Sequence, residues 1–219
     1  MNISNKNALL TKTFGWLFVG LLITFASAFV VSLNDGMMRD IYNNNLHFIF
    51  VIAEIVIAIV LATRITKMKK TTAILLYIVY TLLTGLTLSM IFLAYKLGSI
   101  AIIFAITAGL FGIFAVIGKY TKIDLSKLGV YLFMALIAVI ILSIINIFVQ
   151  SDKLNIVTCI ISVVIFLGYI AYDINRLTKC EDFEGVEESN LPILFAFELF
   201  IDFINLFLRL LELFGDSNN

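Results

Sequence analysis

Five polar side chains interrupt the last apolar stretch of this chain: Glu198, Asp202, Asn205, Arg209 and Glu212. Their spacings of 4, 3, 4 and 3 place them within an arc of roughly 80° on a helix. A soluble helix would carry a whole polar face; this is a narrow charged seam in a sequence apolar enough for a membrane. Each such charge near the centre of a bilayer costs on the order of 3 kcal/mol. The seam is therefore expected to face protein, water or an ion, and function is expected along it. Asp202 lies about 16 Å along the helix axis from Leu191, close to mid-depth. Two readings stand for it: pairing with Arg209 or another helix to fix packing, or carrying an ion or proton.

Asp173 is the second carboxylate of interest, at the end of the preceding apolar run in Ile170-Ala171-Tyr172-Asp173-Ile174-Asn175-Arg176. Consecutive antiparallel spans would let Asp173 and Asp202 meet. Two carboxylates within hydrogen-bonding distance ionise together only at a cost, so such a pair holds a proton and senses pH. Ionised, it offers the oxygen ligands that calcium takes. Glu54 lies inside the second apolar run and needs a partner; it is a way-station for a cation or a buried structural carboxyl. His47, seven residues earlier, shares its face and reads as an interfacial histidine. Arg64 closes the same run, either snorkelling to headgroups or holding Asp173 in one of two states. Glu198, Asn205 and Arg209 complete a candidate ion pathway. No zinc spacing, phosphate loop or nucleophile elbow appears, and the one histidine argues against a metalloenzyme.

The elements that must position these groups are membrane spans. Of 219 residues, 62% are hydrophobic and 14% charged, against about 25% charged in soluble domains. Seven stretches are long enough to cross a bilayer: 14–33, 46–63, 71–94, 99–118, 128–149, 154–172 and 191–214, read as a single polytopic domain. The first continues past Ala26-Ser27-Ala28 and so reads as a span, not as a cleaved signal. No ten-residue alternation suggests a barrel.

Alternate connections differ in charge. Lys6, Lys12, Arg64, Lys67, Lys69, Lys70, Lys119, Lys122, Lys127, Arg176 and Lys179 fall on one side; Arg39, Lys96 and Lys153 fall on the other. The positive-inside rule then puts the N-terminus in the cytoplasm and the C-terminus outside. Asn34-Asp35-Gly36 and Asn43-Asn44-Asn45 read as turn formers in an outer loop. Pro192 sits at the start of the seventh helix, where a missing N–H costs nothing. Glu181, Asp182, Glu184, Glu187 and Glu188 make the last inner loop acidic, either a solvated loop or a cation-attracting vestibule. Cys159 and Cys180 read as two free thiols. The hydroxyl-rich stretch Thr81, Thr84, Gly85, Thr87 and Ser89 reads as close helix packing.

Several of these segments resemble the transmembrane Bax-inhibitor-motif family, in particular its bacterial members. Thr84-Gly85-Leu86-Thr87-Leu88-Ser89 resembles the family's third-span motif, with Met90 where a proline usually follows. Phe114-Ala115-Val116-Ile117-Gly118 with Thr121-Lys122-Ile123-Asp124-Leu125-Ser126 is similar to its fourth span and inner loop. Asn146-Ile147-Phe148, Tyr172-Asp173 and Leu199-Phe200-Ile201-Asp202-Phe203-Ile204-Asn205-Leu206-Phe207 extend the match to the end of the chain.

The resemblance implies an all-α protein of seven transmembrane helices, with the C-terminal helix central and ringed by the other six. It also implies a calcium leak gated by pH through an aspartate pair, matching Asp173 and Asp202, and an arginine at the inner end of span two, matched best by Arg64. The expectation is thus a pH-sensitive calcium leak channel of a bacterial plasma membrane. Calcium is its transported ion, not a permanent cofactor, and calcium and protons bind at Asp173 and Asp202. Its rivals are a calcium/proton exchanger and a non-transporting modulator of a membrane protease or other membrane-protein partner. Neither an enzymatic activity nor a nucleic-acid partner is expected.

Overall fold

The computed structural model describes residues 3–43, 46–123, 125, 127–179 and 190–218. The acidic loop, Cys180, Asn44, Asn45, Asp124 and Ser126 lie outside the described residues. What is described is helical: α1 (Ile3–Ser32), α2 (Asp35–Asn43), α3 (Leu46–Arg64), α4 (Lys70–Leu88), α5 (Ile91–Ala94), α6 (Leu97–Tyr120), α7 (Leu128–Val149), α8 (Asp152–Lys179) and α9 (Leu191–Phe214). Seven of these stretches, with α4 and α5 forming one, are long and apolar enough to cross a membrane. The reason is physical: in hydrocarbon every backbone N–H and C=O must be satisfied within the segment, and a helix does that. The chain is an all-α membrane protein.

The spans differ in how much protein surrounds them. The apolar window of α9 is 78% buried, whereas that of α3 is 6% buried. The helix that carries the charged seam is thus the one most enclosed by protein, as the cost of exposing charge to lipid requires.

The chain divides into two compact units. The first comprises Met1–Lys96, Cys180–Phe200 and Ser217–Asn219; the second comprises Leu97–Lys179 and Ile201–Asp216. In the first, α1 packs along α4 through a close approach at Gly85. A Cβ there would run into Ser27 Oγ and the Thr24 carbonyl. Thr24 Oγ1 donates to the Thr81 carbonyl across the same contact at 2.7 Å. Tyr77 and Tyr80 of α4 meet Phe197 and Phe200 at the start of α9, edge to face. Asn190, just ahead of α9, is buried and donates to the carbonyls of Ile65 and Met68 at 2.9 and 2.7 Å. That side chain anchors the start of the last helix on the end of the second span.

In the second unit, α8 lies between α6 and α7. Helices α6 and α8 approach closely at Gly118, where a Cβ would meet the backbone of Ala171. Asn175 Nδ2 donates to the Gly118 carbonyl at 2.9 Å in the same crossing. Leu132, Val139 and Ile165 form the α7–α8 core. Phe104 and Phe111 of α6 pack on Phe203 and Phe207 of α9.

Three local features differ from the sequence expectation. The residues Asn34-Asp35-Gly36 open a helix and not merely a turn: Asn34 Oδ1 accepts the Met37 N–H at 3.1 Å and caps α2. Span six does not stop at Tyr172 but continues as helix to Lys179. Span three breaks at Ser89 and Met90 with no proline present. There Ser89 Oγ donates to the Leu86 carbonyl at 2.7 Å, the kind of side-chain competition that bends helices.

Candidate functional site

Because α8 runs past Tyr172, Asp173 sits within a helix, two turns from its end. Its residue exposure is 5%, and that of Asp202 on α9 is also 5%. Both belong to the second unit. Tyr169, one turn before Asp173 on α8, lies within electrostatic reach of both carboxyls. Arg176, one turn after it, places Nη1 3.6 Å from Asp173 Oδ1. The Arg176 guanidinium also stands 6.0 Å from the centre of the Tyr172 ring, within range of a cation–π attraction. The α8 face is therefore a ladder of Tyr169, Asp173 and Arg176 at i, i+4 and i+7, a single stripe on a helix. The Gly118–Ala171–Asn175 crossing fixes where that stripe stands.

The seam on α9 is less uniform than its spacing suggests. Asn205 Nδ2 donates to the Ile201 carbonyl of its own helix at 2.8 Å. Arg209 does not serve Asp202: its Nη1 donates to Glu212 Oε2 at 2.9 Å and approaches Cys159 Sγ at 3.8 Å. Asn155 Nδ2 donates to Glu212 Oε1 at 2.8 Å, so Arg209 and Glu212 tie α9 to α8. Cys159, a free thiol, is fully buried beneath them. Glu198, half-buried, belongs to the first unit.

A second polar cluster lies in the first unit. Thr87 Oγ1 donates to Glu54 Oε1 at 2.8 Å, and Thr84 Oγ1 approaches Glu54 Oε2 at 3.4 Å. The partner that Glu54 requires thus comes from the hydroxyl-rich face of span three, which does more than pack. Arg64 ends α3 with an exposed side chain in this same unit. His47 stacks against the neighbouring Phe48, ring centres 3.9 Å apart.

Arg176, Tyr169, Thr84, Thr87 and Asn190 were not singled out as site or anchor residues from sequence. A signal existed for the first two: both stand at helical spacing from Asp173. None existed for the others, whose roles depend on which helix faces which.

The family described as "Inhibitor of apoptosis-promoting Bax1" matches residues 6–219 of the chain. The chain belongs to the Bax inhibitor family. It is 39% identical over 212 residues to the "Inner membrane protein YbhL" of Escherichia coli K12, covering 94% of this chain and 91% of that protein. It is 38% identical over 218 residues to an uncharacterized protein of Borreliella burgdorferi, covering 98% and 94% of the two chains. To the uncharacterized protein RP147 of Rickettsia prowazekii it is 32% identical over 210 residues, covering 95% and 89%. The membership agrees with the resemblance carried by Tyr172-Asp173 and the Asp202 segment.

Among the described residues no group of three or more histidine, cysteine, aspartate or glutamate side chains stands close enough to hold a metal ion.

Proposed function

We propose that this protein is a pH-sensitive calcium leak of a bacterial plasma membrane, gated by Asp173 and Asp202. The observation that carries the reading is the burial of two carboxylates, on consecutive spans of one compact unit, both within reach of Tyr169. Buried charge is retained inside a membrane protein where an ion or proton must be handled. Membership in the Bax inhibitor family supports the same assignment.

In this mechanism the two carboxyls exchange a proton for a calcium ion. With a proton shared, they attract and hold α8 against α9. With both ionised, they repel unless a divalent cation lies between them. Arg176, at the loop-side end of the stripe, competes with calcium for Asp173. Tyr169, one turn from Asp173 on α8, adds a phenol to the same stripe. In this reading a change of proton occupancy shifts a closed–open equilibrium. One pKa unit corresponds to about 1.4 kcal/mol, so moderate coupling moves a two-state gate.

Glu54, with Thr87 and Thr84, is a second station on the pathway. Glu198 extends this pathway along the last helix. Arg64 stands at the cytoplasmic end. The basic connections support a cytoplasmic N-terminus and an external C-terminus. No catalytic step is assigned to any of these residues.

The test is calcium flux into proteoliposomes carrying the purified protein and an enclosed dye, measured across a pH series. Asp173→Asn and Asp202→Asn should each change the flux and flatten its pH dependence. Unchanged flux in both variants would refute the gate. Calcium driven uphill by an imposed proton gradient would make the protein an exchanger instead. No flux from the intact protein would leave partner modulation as the surviving reading.

A further inference from the structure

The second unit contains a cavity of about 390 Å3 between α7, α8 and α9. Its walls are mostly apolar: Ile140, Ile144 and Ile147 on α7 form the rim, and Phe166 of α8 lies within. The three isoleucines are 46%, 52% and 69% exposed, so the rim opens outward at bilayer depth. Asn205 and Arg209 of α9 supply the polar end. Arg209 is held only by Nη1, toward Glu212 and Cys159; Nε and Nη2 make no hydrogen bond to any described residue. Two of its nitrogens are thus spare at a cavity that the Arg209 side chain lines.

Depth narrows the ligand. Helix α9 has 24 residues, or about 36 Å, somewhat more than the roughly 30 Å of hydrocarbon. Arg209 lies about 7.5 Å from the end of that helix, just inside the boundary between tails and headgroups. Long cationic side chains at this depth reach the headgroup layer. An open-sided apolar cavity bathed in lipid fills with hydrocarbon, because water gains nothing from its walls. A planar fork with adjacent N–H groups matches two oxygens of one phosphodiester.

We infer that this cavity is a binding site for one acyl chain of a glycerophospholipid whose phosphodiester is held by Nε and Nη2 of Arg209. The bilayer supplies this ligand at high local concentration, so a modest affinity suffices. The occupant packs against α8 and α9 together, on the face of α9 bearing Asn205 and Arg209. This inference does not depend on the calcium reading, since it concerns lipid occupancy alone.

The experiment uses the full-length protein in nanodiscs containing phosphatidylglycerol with a diazirine on one acyl chain. After illumination, the labelled peptides are mapped by mass spectrometry. Labelling is expected to concentrate on the cavity wall of α7 and α8, at several times the yield found on the exposed face of α3. Ser143→Trp, which fills the cavity, should lower the wall yield at least threefold without changing the α3 yield. Arg209→Gln, which keeps a polar side chain of moderate length, should lower it as well, so the inference is testable even if the tryptophan is not tolerated. Equal yields on the wall and on α3, insensitive to both variants, would overturn the site. Equal labelling by a diazirine fatty acid at matched concentration would overturn the phosphodiester assignment.

Discussion

Replacing Gly118 by alanine should destabilise this protein, whereas the same change at Gly112, six residues earlier on α6, should not. A Cβ built on Gly112 meets nothing within 4 Å. One built on Gly118 would lie 2.8 Å from Ala171 Cα and 2.9 Å from its carbonyl carbon. Carbon atoms pack best at about 3.5–4.0 Å, so α8 would have to retreat by roughly 0.7–1 Å. The obstacle is backbone, which cannot rotate aside as a side chain would. Overpacking of this kind costs about 1–3 kcal/mol. Separation of the helices also weakens the Asn175 hydrogen bond to the Gly118 carbonyl at 2.9 Å, worth about 0.5–1.5 kcal/mol. At Gly112 the change to alanine removes backbone freedom from the unfolded chain and gains about 0.5–1 kcal/mol. The two variants should thus differ by about 2–5 kcal/mol, with opposite signs. Cys159 provides the readout: it is a free, fully buried thiol, and a maleimide dye reports its exposure on heating in a Cys180→Ser background. With about 2–4 °C of Tm per kcal/mol for a chain of this size, the separation should be on the order of 10 °C. Coincident melting curves would refute the close α6–α8 crossing, and with it the placement of the Asp173 stripe.

Two further outcomes follow from single side chains. Asn190→Ala removes both donors to the Ile65 and Met68 carbonyls. Leaving buried carbonyls unmet costs about 1–3 kcal/mol, so the same melting assay should show a loss; no loss would mean that α9 is not anchored there. Thr87→Val should cost more than Thr84→Val, because the contacts to Glu54 are 2.8 and 3.4 Å and only the shorter is a sound hydrogen bond. Interhelical bonds of this kind in membranes are worth about 0.6–1.7 kcal/mol. Equal effects on melting would contradict the geometry at Glu54.

Much of this architecture is legible in the amino-acid order because the bilayer imposes a simple rule. Apolar runs of about 20 residues span, and the periodic charges of α9 must be hidden. Hydropathy fails where a polar run continues a helix. Arg176 and Lys179 read as following the span, yet α8 continues through them to Lys179. Asp173 faces Arg176 one turn away, and Asn175 reaches across to Gly118. The break at Ser89 was hard to foresee for the opposite reason. A serine can bend a helix or leave it straight, and its hydroxyl decides which by choosing its acceptor. Pairing between distant segments leaves no local mark at all. Nothing near Glu54 announces that its partners stand 30 and 33 positions later, and nothing near Asn190 points to Ile65. Asp173 and Asp202 are legible because charge in a membrane span is conspicuous by itself.

The most direct measurement is a double-variant cycle on calcium flux. Flux and its pH dependence are recorded in proteoliposomes for the intact protein, Asp173→Asn, Asp202→Asn and the variant carrying both. If the two carboxyls act as one unit, the combined variant will behave like either single one, because the first change already dissolves the unit. Effects that multiply, giving a combined change equal to the product of the two single ones, would show independent carboxyls and contradict the shared gate.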